Sequence, residues 1–390
     1  MRKRLALTLL VGTATVACVR SHEAPSKQTT AAAPLVVEAA DSPTPPTPDP
    51  FFAPSPLLSR GKTAVGRSHV QFSDARYAFD DNSGTAWTAG HPTPADPAWL
   101  AIDVGVGPTR VLVSWSASGS FDYEETTYGS PGSYRLETSA DSTDGASGTW
   151  TTVVDVPHVV THGAVHAVPF MGQRWLRFVV TGAPDVSPNG VQIDEVALYD
   201  ASASEADTWF FMGDSITATA FGNAAKGAQR FASIIHSRHA AYFPVVVNGG
   251  IGFTKSGDGA ARVDEWIARN ADAHFWAIGY GTNDAAGNER DTTQFRRNLV
   301  TIVDRLQKAH RVPILATIPY ATDGQHATLN DFNRVIEELR DQRGLPRGPD
   351  LYAWFLAHPD ELRDGLHPNE RGAASMNRLW ADAVDALYPR

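Results

Sequence analysis

From Asp207 to the C-terminus, short uninterrupted apolar runs alternate with longer stretches of helical period. The runs are Thr208–Met212, Val245–Val247, Phe275–Ile278, Pro313–Ile318 and Leu351–Trp354. The periodic stretches cover Ala228–Ala240, Ala260–Ala271, Thr292–Ala309, Leu329–Gln342 and Ala373–Leu387. A strand that is apolar at successive positions has no polar face to give to water, so it sits in a sheet covered on both sides. Strand and helix in alternation build such a sheet from parallel crossovers. The pattern predicts a three-layer α/β/α domain over residues 204–390, with the five runs as its parallel strands. Ligands of such sheets bind beyond the carboxyl ends of the strands.

Residues 58–203 follow a different period. Apolar stretches at Trp99–Val104, Val111–Trp115, Tyr134–Thr138, Trp150–Val154, Trp175–Val180 and Val191–Leu198 are separated by turns rich in Gly, Pro, Asp and Ser. Several alternate polar with apolar residues, as half-buried strands do. The expectation is a separate all-β sandwich, jelly-roll-like in outline. Ala78–Trp87, Pro97–Gly105, Thr138–Asp141 and Trp150 together resemble the discoidin, or galactose-binding-like, domains, many of which bind sugars or surfaces through end loops. The loop Ser116–Ser133 carries Phe121, Tyr123 and Tyr128. These either stack on a sugar ring or pack the loop onto its own protein. Trp87 and Trp99 are expected in the core rather than at a ligand.

Four segments of the α/β region carry small or reactive residues at strand ends: Gly213–Ile216, Asn248–Gly252, Gly281–Asp284 and Asp364–His367. Singly they are weak, since Gly-Asp-Ser is an ordinary turn sequence. Taken in this order, the four resemble the consensus blocks of the SGNH/GDSL hydrolases, and the resemblance spans nearly all of 207–390. It implies a flavodoxin-like fold and a serine nucleophile at Ser215. A serine hydroxyl attacks only when a base takes its proton; His367 is that base, and Asp364 holds its tautomer. The oxyanion donors implied are the Ser215 and Gly252 backbone N–H groups and the Asn283 side-chain amide. Family members often carry glycine after the block-two Gly-Ile-Gly, where this chain has Phe253, so the backbone donor is Gly252 or Phe253. A bulky Phe253 at the mouth would favour a small acyl group. Asp214 and Asp284 flank the site, either fixing loop hydrogen bonds or touching substrate with Phe253.

Other groups read more plainly. His236 and His239 stand i, i+3 on a helix with no third ligand, so an exposed face is expected and no metal site. Lys255 and Asp258 lie in a solvated loop beside the site, and Trp354 and Phe355 pack the fifth strand. No phosphate loop, paired glycosidase carboxylates or zinc spacing is present.

The N-terminus reads as an export signal: Arg2, Lys3 and Arg4, a short apolar run Leu5–Val16, then Cys18, the chain's one cysteine. Thr15–Cys18 resembles a bacterial lipobox, which would acylate Cys18. The alternative is an ordinary cleavage near Ala17. Residues 19–57, rich in Pro, Ser and Thr, suit an extended tether. The chain is then an exported protein, a membrane-anchored lipoprotein (periplasmic or cell-surface) or else secreted. Its net charge of −10 speaks against nucleic acid, which needs a basic face. Contact with a membrane is expected only through the lipid anchor.

The resemblance implies an esterase that removes small acyl groups, O-acetyl above all, from a carbohydrate or polysaccharide, with no cofactor. A glycan O-acetyltransferase, a lipase or thioesterase, and a carbohydrate-binding surface protein with little catalysis are the alternatives.

Overall fold

The computed structural model describes residues 56–388 apart from 83, 118–128, 160, 185–189, 204–206 and 223–229. Cys18, the tether, Phe121, Tyr123 and Tyr128 lie outside the described residues.

The N-terminal region consists mostly of β-strands. β1 (Ala64–Arg67), β2 (Trp87–Gly90), β3 (Ala98–Asp103), β4 (Arg110–Ala117), β5 (Ser133–Ser139), β6 (Thr151–Val156), β7 (Gly163–Pro169), β8 (Trp175–Gly182) and β9 (Val191–Asp200) follow one another along the chain. They form two antiparallel sheets, ordered β1-β3-β8-β5-β6 and β2-β9-β4-β7. Leu100, Ile102, Leu136 and Phe178 of the first sheet share one apolar cluster with Val113, Trp115, Ile193 and Leu198 of the second. Trp87 is in that cluster, as expected. Trp99 is only half-buried, with the Arg177 guanidinium 5.6 Å from its ring.

The α/β region follows. β10 (Thr208–Gly213) leads into α1 (Ser215–Phe221) and α2 (Phe231–Arg238), then β11 (Val245–Gly250), α3 (Ser256–Arg269), β12 (Phe275–Gly279), α4 (Thr293–Lys308) and β13 (Val312–Leu315). After them come α5 (Leu329–Arg343), α6 (Leu351–Ala357) and α7 (Glu370–Val384). The strands pair parallel in the order β11-β10-β12-β13. Along β10 the side chains alternate: Phe210 and Met212 enter one buried cluster, Trp209 and Phe211 the other. Both faces of the sheet are therefore covered, as the continuous apolar run requires.

Two expectations are corrected. The run Leu351–Trp354 is not a strand; it opens α6. Asp350 caps that helix, its Oδ1 accepting from Ala353 N–H at 3.0 Å, and Leu351 and Phe355, i and i+4, are the buried positions. Beside β13 the sheet instead gains a single parallel bridge, Leu315 to Arg347. Nor does the β-strand region stand apart. Leu112, Val165, Tyr199 and Ala201 belong to the same buried cluster as Phe210, Val247 and Trp266. Along β4, Val111, Val113 and Trp115 face the β-region core, while Leu112 faces the α/β region and Ser114 Oγ donates to Val246 O at 3.0 Å. The sheet β2-β9-β4-β7 is thus covered on both faces. Arg110 also pairs with Asp272 at 2.9 Å.

Candidate active site

The carboxyl end of β10 is where sequence and fold converge. Asp214 leaves the strand in an extended conformation and caps α1, its Oδ1 accepting from Ile216 N–H at 2.9 Å. Ser215 is thereby the first residue of the helix and half-buried. Backbone crowding explains the glycines around it: a Cβ on Gly250 would lie 2.2 Å from Ala218 N.

His367 reaches Ser215 from far along the chain, with Nε2 2.9 Å from Ser215 Oγ. On its other side Nδ1 donates to Asp364 Oδ2 at 2.8 Å. Asp364 Oδ1 also accepts from the His367 and Leu366 backbone N–H groups, at 2.8 and 3.1 Å. These bonds fix which imidazole nitrogen faces the serine, because a ring donating from Nδ1 presents Nε2 as acceptor. Burial pushes the Asp364 carboxyl up, but the hydrogen bonds and charge of His367 outweigh it and set the value at about 2. The turn between the two residues requires Gly365, with φ +82° and Thr322 Oγ1 2.8 Å from where a Cβ would sit. Thr322 N–H donates to Gly365 O at 2.7 Å. Thr322 anchors the turn, and no motif marked it.

The second and third segments are joined to each other and to the end of β10. Ile251 N–H donates to Gly213 O at 2.9 Å. That occupies the Ile251 donor and leaves Gly252 or Phe253 as the backbone candidates of this loop. Gly252 is buried; Phe253 is 67% exposed with φ +62°. Asn283 is half-buried, and its Nδ2 donates to Thr254 O at 2.9 Å. An amide nitrogen carries two hydrogens, so this bond orients the group while keeping a second donor.

Asp214 and Asp284 hold loops. Asp214 is buried, which pushes its carboxyl up to about 7, and a substrate cannot touch it without opening the site. Asp284 accepts from Ser256 N–H at 2.9 Å and Ser256 Oγ at 2.5 Å, tying α3 to the loop after β12. Of the two roles expected for this pair, loop hydrogen bonding is the one their contacts display. Lys255 and Asp258 form the start of α3 rather than a free loop, Asp258 Oδ2 accepting from Lys255 N–H at 2.8 Å. His236 is exposed, but His239 is not on an open face. Its ring stacks on Tyr388, and Nε2 lies 3.1 Å from Asp385 Oδ1. Trp354 stacks on His358 and donates to Glu361 Oε2 at 2.8 Å. Among the described residues no group of three or more His, Cys, Asp or Glu side chains is placed to hold a metal ion.

A parallel α/β fold with a serine, histidine and aspartate chain at a strand end defines a hydrolase-like class of site. Residues 211–374 match the GDSL-like lipase/acylhydrolase family, which supports a hydrolase. A comparison with curated protein sequences gave no match. Among solved structures, the chain is similar to a lipase/acylhydrolase from Enterococcus faecalis at 24% identity, covering 46% of this chain and 95% of that one, with a TM-score of 0.38. An acetylxylan esterase from Geobacillus stearothermophilus, Axe2, matches at 20% identity over 46% of this chain and 94% of its own, with a TM-score of 0.38. A chitosan-binding module of a chitosanase/glucanase from Paenibacillus sp. IK-5 matches at 24% identity over 37% and 98%, with a TM-score of 0.28.

Proposed function

We propose that this protein is a serine esterase that hydrolyses small acyl esters, O-acetyl above all, on a carbohydrate through an acyl-Ser215 intermediate. The observation that carries the reading is the unbroken chain from Ser215 Oγ to His367 Nε2 at 2.9 Å and from His367 Nδ1 to Asp364 Oδ2 at 2.8 Å. Ser215 Oγ attacks the ester carbonyl carbon as its proton passes to His367 Nε2. The negative charge then on the carbonyl oxygen is met by the Ser215 N–H, the block-two backbone N–H and Asn283 Nδ2. His367 returns the proton to the departing sugar oxygen as the C–O bond breaks. Water, deprotonated by the same nitrogen, releases the acid and restores the serine. Asp364 stays ionised throughout and stabilises the imidazolium.

The side chains of His367 and Asp364 are 24% and 46% exposed. That openness favours water over a sugar acceptor, and so hydrolysis over acyl transfer. The carbohydrate half of the reading rests on the resemblance of 207–390 to hydrolases whose β-sandwich-bearing members are often carbohydrate esterases. In this reading residues 58–203 form a galactose-binding-like sandwich, 204–390 the catalytic domain, and Cys18 the lipid anchor of an exported protein.

The test is acetate release by the purified protein from a panel of acetylated glycans and ethyl acetate, beside Ser215→Ala. Release lost on substitution supports the esterase. Absence of release by the unsubstituted protein, with and without a sugar acceptor, overturns it.

A further inference from the structure

Phe253 combines two costs at one position. A bulky side chain at φ +62° is strained, because its Cβ crowds the backbone in the left-handed region. At 67% exposure it also leaves most of a large apolar ring in water. Asp81 and Asn288 share the conformation, but short polar residues tolerate it, and His310 takes it just past the end of α4. Among the described residues, Phe72, 97% exposed in a β-region loop, is the other phenylalanine so placed.

The strain persists because the flanks are pinned. Ile251 N–H is held by Gly213 O. Thr254 Oγ1 donates to Ile251 O at 2.7 Å, and Thr254 O accepts from Asn283. Lys255 and Ser256 are fixed by Asp258 and Asp284. Ile251 and Thr254 are buried. Between them the Phe253 backbone is held beside Gly252, and its side chain is largely uncovered. Glycine would adopt this backbone without penalty, so the backbone alone does not call for an aromatic ring here. At 67% exposure the ring is not enclosed in a closed slot such as a narrow acyl pocket would make.

We infer that Phe253 is a specificity-determining residue on the alcohol side of the site, an exposed aromatic platform on a pinned loop for the apolar face of the sugar ring that bears the ester. This rests on the esterase reading above and replaces the expectation that Phe253 limits acyl length. A pyranose presents its axial C–H groups as a flat apolar face, which an aromatic ring covers without hydrogen-bond partners. Binding energy from this non-reacting part of the substrate improves kcat/KM at the ester.

The experiment compares kcat/KM for an acetylated oligosaccharide with that for ethyl acetate, which has no ring, in the unsubstituted protein and in Phe253→Ala, Phe253→Leu and Phe253→Tyr. A backbone change that affects both esters cancels in the ratio. Phe253→Ala should lower the glycan-to-ethyl acetate ratio about tenfold, mainly through KM. Phe253→Leu should lower it less, and Phe253→Tyr should keep it. A ratio unchanged in Phe253→Ala overturns the platform. So does a gain on butyryl over acetyl esters, which would return the residue to the acyl pocket. If the unsubstituted protein cleaves neither ester, the esterase reading has failed instead.

Discussion

Asn283 has one amide group for two tasks. One Nδ2 hydrogen is held by Thr254 O, and the proposed mechanism spends the other on the oxyanion. Removing one such donor elsewhere costs about 10²–10³ in kcat, or roughly 3–4 kcal/mol. Asn283→Ala should show that loss in kcat for ethyl acetate with little change in KM; equal kcat would remove Asn283 from the oxyanion site. Phe253 offers a separate check on strain. Phe253→Gly should raise stability by about 1 kcal/mol, read as a higher denaturant midpoint, since little burial is lost with a mostly exposed ring. A lower midpoint would mean that the ring packs more than it strains. The grouping of Ser215, Asp364 and His367 was expected from the resemblance of their sequence blocks to a known family, and their side chains do meet. Thr322 was not, because its bond to Gly365 joins loops 43 residues apart and no local pattern encodes it.

At the scale of elements, helix and strand were well separated wherever a run was long. α4 and α5 fall within a residue of their expected bounds. A four-residue apolar run such as Leu351–Trp354 fits a strand or a buried helix equally. What decides it is the cap at Asp350, whose Oδ1 accepts from both Ala353 N–H and Thr317 Oγ1, and the second of these is a tertiary bond. β10 carries its own titratable feature at its entry. Asp207 is buried there, its Oδ1 accepting from Trp209 Nε1 at 2.8 Å, with Tyr388 beside it. Burial pushes its carboxyl from 3.8 up to about 7, against the hydrogen bonds of Tyr388 and Trp209, which pull it down. Between these values the folded chain keeps a proton that the unfolded chain has lost. Stability therefore falls as pH rises from about 4 through 7. Asp207→Asn keeps the acceptor but cannot ionise, so its melting temperature should decline less over that range than that of the unsubstituted protein. Parallel curves for the two would place the ionisation elsewhere.

For the whole molecule, the second face of the sheet β2-β9-β4-β7 matters most. The apolar stretch Val111–Trp115 marked β4 as a strand, but it could not tell which surface covers Leu112, which points away from the β-region core. Which surface covers a strand is a property of two distant segments, and neither records it alone. Leu112, Val165 and Tyr199 are each at most 4% exposed within the cluster that holds Val247 and Trp266. Full burial of a large apolar side chain contributes about 1.5–3 kcal/mol, so the three together rival the roughly 5–15 kcal/mol that stabilises a typical folded chain. Residues 204–390 expressed alone would leave their counterparts in water. That fragment should lack the near-ultraviolet dichroism of its packed tryptophans and any ester hydrolysis, while the full chain unfolds in a single thermal transition through both regions. A point change makes the same argument without truncation. Leu112→Asp buries a charge at the junction without a partner, at a cost of several kcal/mol, and should lower the midpoint of both regions together. Two separated transitions in the full chain, or a folded and active 204–390, would show that the regions are merely adjacent.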